Sequence, residues 1–390
     1  AVPGMMSPMN ETGKTSLALT PSEEALVAYL WRDTAPDAAM WPALVEAARP
    51  HGMLASVAFL AAQEKRLPAD LQVRLRDVRY HAGIFHIHAE KQLRQLGALA
   101  QELETPLILL KGPVTARAYP FPEARAFGDL DLFASSEERA RRLEAALIER
   151  GYVSHADSRT GHLPPLQPSE GGLRVELHCN AAEILPALRA DVPLWNRARP
   201  VPDLPGLLAL APVDHALYIT VHALEKHGLD MGLRAVYDYG CWVQRWDDAT
   251  WADLRAQMTA QRLEPHVTLL TALWGWARGV PWEQLPLAAS SPPPPEILTQ
   301  ALEALFRREN VLLPTVWRDL PQGGLPGWLA YARTILTAGG TLHAGQLPHR
   351  VLYLLRTHGP GLARLLRGDS RTRRQWERQR QLQAWLDRGD

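Results

Sequence analysis

Between Ser22 and Glu104 apolar residues return every three or four positions, as at Leu26, Tyr29 and Leu30, the period of helices with one buried face. Thr20-Pro21-Ser22 followed by Glu23 and Glu24 marks a helix start, because a capping hydroxyl takes an orphan amide and early acids suit the helix dipole. The same spacing predicts helices over 41–48 and 54–63, and a long one opened by Pro68 that reaches Glu104. His81, His86 and His88 read as surface or packed residues of that long helix.

At Pro106 the texture changes. The residue before a proline is pushed out of the helical region, and Leu107 to Leu110 is a short, wholly apolar run ended by Gly112, the pattern of a buried strand. Small residues over 112–119 predict a short helix, and Tyr119-Pro120-Phe121-Pro122 forces an extended or turning path. Asp129 to Phe133 alternates polar and apolar, so both aspartates face one side of a strand whose other side is buried. Ser135 and Ser136 then cap a helix with Glu137 and Glu138 in its first turn and Arg150-Gly151 at its end. Residues 162–167 and 173–179 flank Ser169-Glu170-Gly171-Gly172 as a hairpin, with Arg174, Glu176 and His178 alternating against Val175, Leu177 and Cys179.

From Pro212 the helical period resumes over 214–227, 233–246, 250–262 and 266–278, breaks at Pro292 to Pro295, and returns over 296–308. The fold class expected is α+β, mostly α: a small mixed sheet flanked by helical regions on both sides in the chain. The expected organisation is a disordered or tag-derived leader at 1–20, a helical region at 21–104 and a catalytic core at 105–183. Helices at 184–390 would then cover the site, with a basic tail at 364–390.

Composition removes several classes. Lys+Arg and Asp+Glu both number 42, so the net charge is zero and no global field draws the chain to a polyanion; any phosphate site must be local. Cys179 and Cys241 are too few and too far apart for a disulfide framework or a zinc knuckle. With no signal-peptide core near the start and no apolar run of membrane length, a cytoplasmic, membrane-free protein is expected. The C-terminal arginines 371, 373, 374, 378 and 380, interleaved with Trp376, could grip RNA or an acidic partner, but Glu377, Asp387 and Asp390 dilute them into a solvated helix face.

The chemistry concentrates at Asp129 and Asp131. Two carboxylates two residues apart on a strand have Cβ atoms about 7 Å apart, close enough to share a hard cation that also binds phosphate. A third carboxylate on a neighbouring strand would complete a metal clamp, and Glu176 is placed to supply it. Alone, an Asp-x-Asp pair is common on solvated strands and turns. Here it follows an apolar strand, a glycine turn and a short helix, and precedes a strand that carries an acid.

That order, with Leu110-Lys111-Gly112, Tyr119-Pro120, Arg125, Asp129-Leu130-Asp131-Leu132 and Glu176-Leu177-His178, resembles bacterial uncharacterised nucleotidyltransferase family proteins. These belong to the superfamily of DNA polymerase beta and kanamycin nucleotidyltransferase. The likeness spans about 41–244 and is strongest at 110–133 and 175–178. It implies that Asp129, Asp131 and Glu176 hold Mg²⁺ or Mn²⁺, with Glu176 also activating the acceptor. It implies a nucleoside triphosphate as substrate, Gly112 near its phosphates, and an acceptor that is a small molecule, a peptide or protein, or, less favoured, RNA. One departure stands out: Pro113 follows Gly112 and lacks an amide hydrogen, so Lys111 is expected to offer its ammonium to the phosphate instead. Arg125 is expected to hold a phosphate or a carboxylate of the site.

Further on, His215, His222 and Lys226 fall on one helix face, and Arg234 and Asp238 are spaced as an i, i+4 ion pair. In the likeness the helices after the core close over the nucleotide, which makes Lys226, Asp238 and His222 candidate nucleotide contacts. Two rival functions remain. A glycosyltransferase could use Asp-x-Asp to hold a nucleotide sugar, although only one strand precedes the motif here. A catalytically silent nucleotide-binding scaffold acting through a partner is the other, and the retained carboxylates count against it.

Overall fold

The computed structural model describes residues 18–154, 163–180, 194–307 and 370–389. Most of the proposed 1–20 leader and the start of the basic tail at 364–369 lie outside the described residues, as do the side chains of residues 371–376.

The protein is α+β and mostly helical, with a seven-stranded mixed sheet. Helices α1 (Pro21–Trp31), α2 (Trp41–Ala48), α3 (Leu54–Leu60) and α4 (Ala69–Glu102) come first. Thr20 and Glu23 form a reciprocal capping box at the start of α1, as the sequence predicts. The strand β1 (Leu107–Leu109) and the short α5 (Gly112–Ala116) lead to β2 (Asp129–Ala134) and α6 (Glu137–Glu149), capped by Ser136. Then come β3 (Tyr152–Ser154), β4 (Leu166–Pro168) and β5 (Arg174–His178), the last two joined through Gly171 and Gly172, both at positive φ. After α7 (Leu194–Arg197) the chain adds β6 (Arg199–Pro200) and β7 (Leu207–Ala209), which the sequence pattern does not announce.

The strand order is β3-β4-β5-β2-β1-β7-β6. β2 lies between β1, antiparallel, and β5, parallel. The central strand thus carries Asp-x-Asp, and β1 is buried throughout because strands flank it on both edges and helices cover it.

Helices α8 (Pro212–Val221), α9 (Leu233–Val243), α10 (Asp248–Ala260), α11 (Glu264–Arg278), α12 (Pro295–Arg307) and α13 (Ser370–Leu386) complete the described chain. The continuous helix expected over 214–227 is interrupted: α8 ends at Val221, and His222–Lys226 form a π-helical turn. Such a turn carries one extra residue per cycle, so it re-aims the side chains that follow, and it recurs at functional sites. One apolar core joins α1–α3 to the helices after the sheet, through residues such as Leu26, Trp41, Leu217, Leu269 and Leu273. A second lies under the sheet, where Leu93 and Leu96 of α4 meet Leu130, Leu132 and Val175. At its edge α4 and the loop before β7 touch backbone to backbone: a Cβ on Gly97 would stand 2.3 Å from the Pro205 carbonyl oxygen, and one on Gly206, at φ +87, would stand 2.1 Å from that of Gly97.

Candidate active site

β2 and β5 run parallel, with Asp131 opposite Glu176 and Asp129 opposite Arg174. Side chains two apart on a strand share a face, so Asp129, Asp131, Glu176 and His178 gather on one side of the paired strands. Asp131 is fully buried, and its Oδ1 accepts a hydrogen bond from Lys111 Nζ at 2.9 Å and lies 3.0 Å from His178 Nε2. Asp131, Glu176 and His178 each offer one ligand atom, and these atoms all lie within 4.8 Å of one another. At the outer end of the cluster the Arg174 guanidinium stands 3.0 Å from Glu176 Oε1 and 3.8 Å from Asp129 Oδ2.

The charges are unequal. Burial pushes the Asp131 carboxyl up, but the Lys111 ammonium and the His178 ring outweigh it and hold the group below the usual carboxylate range. Asp129 goes the other way: burial and the repulsion of Asp131 raise it, against the opposing pull of Lys111. Asp129, Asp131 and Glu176 thus face Lys111, Arg174 and the His178 ring. Hard carboxylate oxygens beside one imidazole fit Mg²⁺ or Mn²⁺. Among the described residues the group close enough to share one ion is Asp131, Glu176 and His178, which keeps two of the three expected carboxylates and has His178 where Asp129 was expected. The sequence carried that signal, since His178 follows Glu176 at the strand period.

Lys111 sits at the turn between β1 and α5 with φ +45, a region disfavoured for a residue with a Cβ. The turn brings its side chain back over β2. Gly112 is needed there for a different reason: a Cβ at this position would lie 2.7 Å from the Cβ of Phe127. Burial opposes the charge on Lys111, but the Tyr218 phenol, Asp131 and Asp129 together raise its pKa above the ordinary value, so the ammonium is retained. Tyr218, buried on α8, is thus a member of the site that the sequence pattern did not single out; it lies one turn before His222.

His222 starts the π turn and packs on His227 with ring centroids 4.5 Å apart. Burial, then the nearby charge of Lys111 and His227, hold His222 well below its usual pKa, so the ring is neutral. Lys226, at the far end of the turn, is exposed. The face expected to run from His215 and His222 to Lys226 is not kept beyond His222, because the π turn over His222–Lys226 breaks the helical register there. His215 instead lies fully buried 2.9 Å from Thr115 Oγ1, behind the glycine turn, and burial lowers its pKa to about 3.

Arg125 and Asp238 meet each other. The guanidinium donates from Nε at 3.1 Å and from one terminal nitrogen at 2.8 Å to the two carboxylate oxygens, and the Tyr119 hydroxyl donates to Oδ1 at 2.6 Å. Both partners are buried. The i, i+4 pair expected between Arg234 and Asp238 is therefore replaced: Asp238 points inward to a guanidinium that matches it with two bonds, and Arg234 lies over Gly52. This bidentate pair ties the segment that leads into β2 to helix α9.

Among the described residues no helix is long and apolar enough to cross a membrane. No curated protein matches the chain. The model of a family described as uncharacterised nucleotidyltransferase matches residues 37–276. That span is more than half of the chain and contains Lys111, Asp129, Asp131, Glu176 and Asp238, and the chain belongs to this nucleotidyltransferase family.

Proposed function

We propose that the protein moves a nucleotidyl group from ATP or another nucleoside triphosphate to an acceptor nucleophile, releasing pyrophosphate, at the cluster around Asp131. The observation that carries the reading is the opposition of Asp131 and Glu176 across β2 and β5, with the Lys111 ammonium 2.9 Å from Asp131. We place the chain, on its motif order, in the DNA polymerase beta and kanamycin nucleotidyltransferase superfamily, and in the cytoplasm.

Asp129, Asp131 and Glu176 are the residues we assign to hold Mg²⁺ or Mn²⁺, with His178 fixing Asp131 from the side. Once bound, such an ion supplies Lewis-acid neutralisation of phosphate oxygens. Asp131 is ionised well into the acid range and so is ready to act as a ligand at neutral pH. Lys111 keeps its charge and can shift from Asp131 to a phosphate oxygen a short distance away. Glu176 lies at the mouth of the cluster beside Arg174 and is the group we assign to take the acceptor's proton. Neutral His222 can hydrogen-bond the nucleotide without adding charge, and exposed Lys226 can meet its phosphate tail. Arg125 and Asp238 serve the nucleotide through the segment they anchor. The acceptor is any nucleophile whose proton Glu176 can reach, whether on a small molecule, a peptide or protein, or an RNA end.

Calorimetric titration of ATP with Mg²⁺ tests this. Asp129→Ala combined with Asp131→Ala should weaken binding at least about tenfold, roughly the effect of losing 1.4 kcal/mol. Unchanged binding in a folded double variant would refute the assignment.

A further inference from the structure

Helix α8 is docked on the glycine turn. His215 Nε2 stands 2.9 Å from Thr115 Oγ1, and the Thr115 amide donates to the Lys111 carbonyl at 2.9 Å. Tyr218 follows His215 by three residues, so it shares that face of α8 and is turned toward the same cluster. The residue is buried, and its phenol lies in the field of Lys111, Asp131 and Asp129. Its ring neighbours are His215 and His222, at centroid distances of 6.4 and 6.0 Å.

Donors and acceptors do not balance around this hydroxyl. The Lys111 ammonium stands within hydrogen-bonding reach of the phenol oxygen, and an ammonium only donates, so the oxygen accepts there and its own hydrogen is directed elsewhere. Among the described residues no carbonyl, carboxylate or ring nitrogen takes that hydrogen. Burial and the two aspartates, against the pull of Lys111, raise the phenol above its ordinary range, so the hydrogen is retained. A donor left over beside a lysine suits an oxygen that both groups can reach. The turn has need of one. Helix α5 is only five residues long and Pro113 has no amide hydrogen, so a phosphate at this turn depends largely on side-chain donors.

We propose that Tyr218 is a further catalytic residue, its hydroxyl donating a hydrogen bond to a phosphate oxygen of the nucleoside triphosphate beside the Lys111 ammonium. The inference rests on the reading of the cluster as a triphosphate site and adds a substrate contact to it. A neutral donor strengthens the hold on the phosphate without setting a second cation against Lys111. The phenol keeps its hydrogen throughout and forms no bond to phosphorus.

The test is calorimetry of the full chain with ATP and with inorganic tripolyphosphate, each with Mg²⁺, on the parent, Tyr218→Phe, Lys111→Met and the double variant. Phenylalanine keeps the buried ring, and the thermal midpoint checks that the fold is retained. Tyr218→Phe should lose at least about tenfold in affinity for both ligands, the effect of one hydrogen bond to a charged group. It should lose at least about threefold again in the Lys111→Met background, because the hydroxyl reaches the phosphate itself. Equal affinities of the parent and Tyr218→Phe would overturn the proposal. So would a loss confined to ATP, which sets the ring against the base, or no further loss in the Lys111→Met background, which makes Tyr218 a support of Lys111 alone. ATP binding lost in Asp129→Ala with Asp131→Ala but kept in Tyr218→Phe would overturn this inference and leave the proposed function standing, whereas ATP binding untouched by either would remove both.

Discussion

Replacing Asp238 with leucine should expose how the site is held in place. The substitution removes both bonds from Arg125 and the 2.6 Å bond from Tyr119, and it leaves a guanidinium whose side chain is only 7% exposed. Arg125 cannot escape by losing its proton: arginine does not deprotonate in proteins, and Asp238 outweighs the effect of burial on it. Breaking a buried ion pair from one side costs about 3–5 kcal/mol. That is a loss of roughly 10²–10⁴ in the folding equilibrium, set against a total stability on the order of 5–15 kcal/mol.

Arg125→Met should cost less, roughly 2–3 kcal/mol, because the carboxylate left behind keeps Tyr119 and can take up a proton. The double variant, with apolar groups facing each other, should return to within about 2 kcal/mol of the parent. Urea unfolding followed by circular dichroism measures all four corners of the cycle, and the coupling should exceed about 2 kcal/mol. Additive single effects would refute the reasoning. So would an Asp238→Leu protein with an unmoved midpoint that no longer binds ATP, since Asp238 would then be a direct nucleotide contact rather than an anchor.

Two further outcomes follow from packing and burial. His215 is held neutral, with a folded pKa of about 3 against an ordinary value near 6.5, so the unfolded chain takes the proton first. Its contribution is complete above about pH 6.5 and drains away as pH falls toward 3, at up to about 1.4 kcal/mol per unit. Urea midpoints measured from pH 7 to 4 should therefore fall less steeply in His215→Phe than in the parent, and parallel slopes would contradict it. Gly97→Ala should destabilise by about 1–3 kcal/mol, because its Cβ would meet the Pro205 carbonyl oxygen at 2.3 Å and backbone must move to admit it. A thermal midpoint equal to that of the parent would show that α4 and the loop can separate freely.

Much of the site was legible along the chain because its parts are local. The alternation of Asp129 to Phe133 put two carboxylates on one face, and Glu176-Leu177-His178 had the same period, so the facing pair across β2 and β5 could be anticipated. The short helix after Gly112, the cap at Ser136 and the hairpin glycines carry their structure in residue type, and the chain adopts them. Spacing on a single helix was less reliable. It paired Arg234 with Asp238 and aligned His215 with Lys226, whereas both relations depend on what lies across from the helix and on a π turn that no local propensity marks.

The sequence by itself determined the strand that bears the carboxylates, the acids that gather there, and the lysine at the glycine turn. These follow from periods of two and 3.6 residues and from turn chemistry, which act over a few residues. Only the tertiary structure decided that Lys111 reaches back to Asp131, that His178 and Tyr218 complete its surroundings, and that Arg125 is satisfied by Asp238, 113 residues away. A charge's partner is set by which groups burial leaves with no water to turn to, and that depends on how the helices close over the sheet.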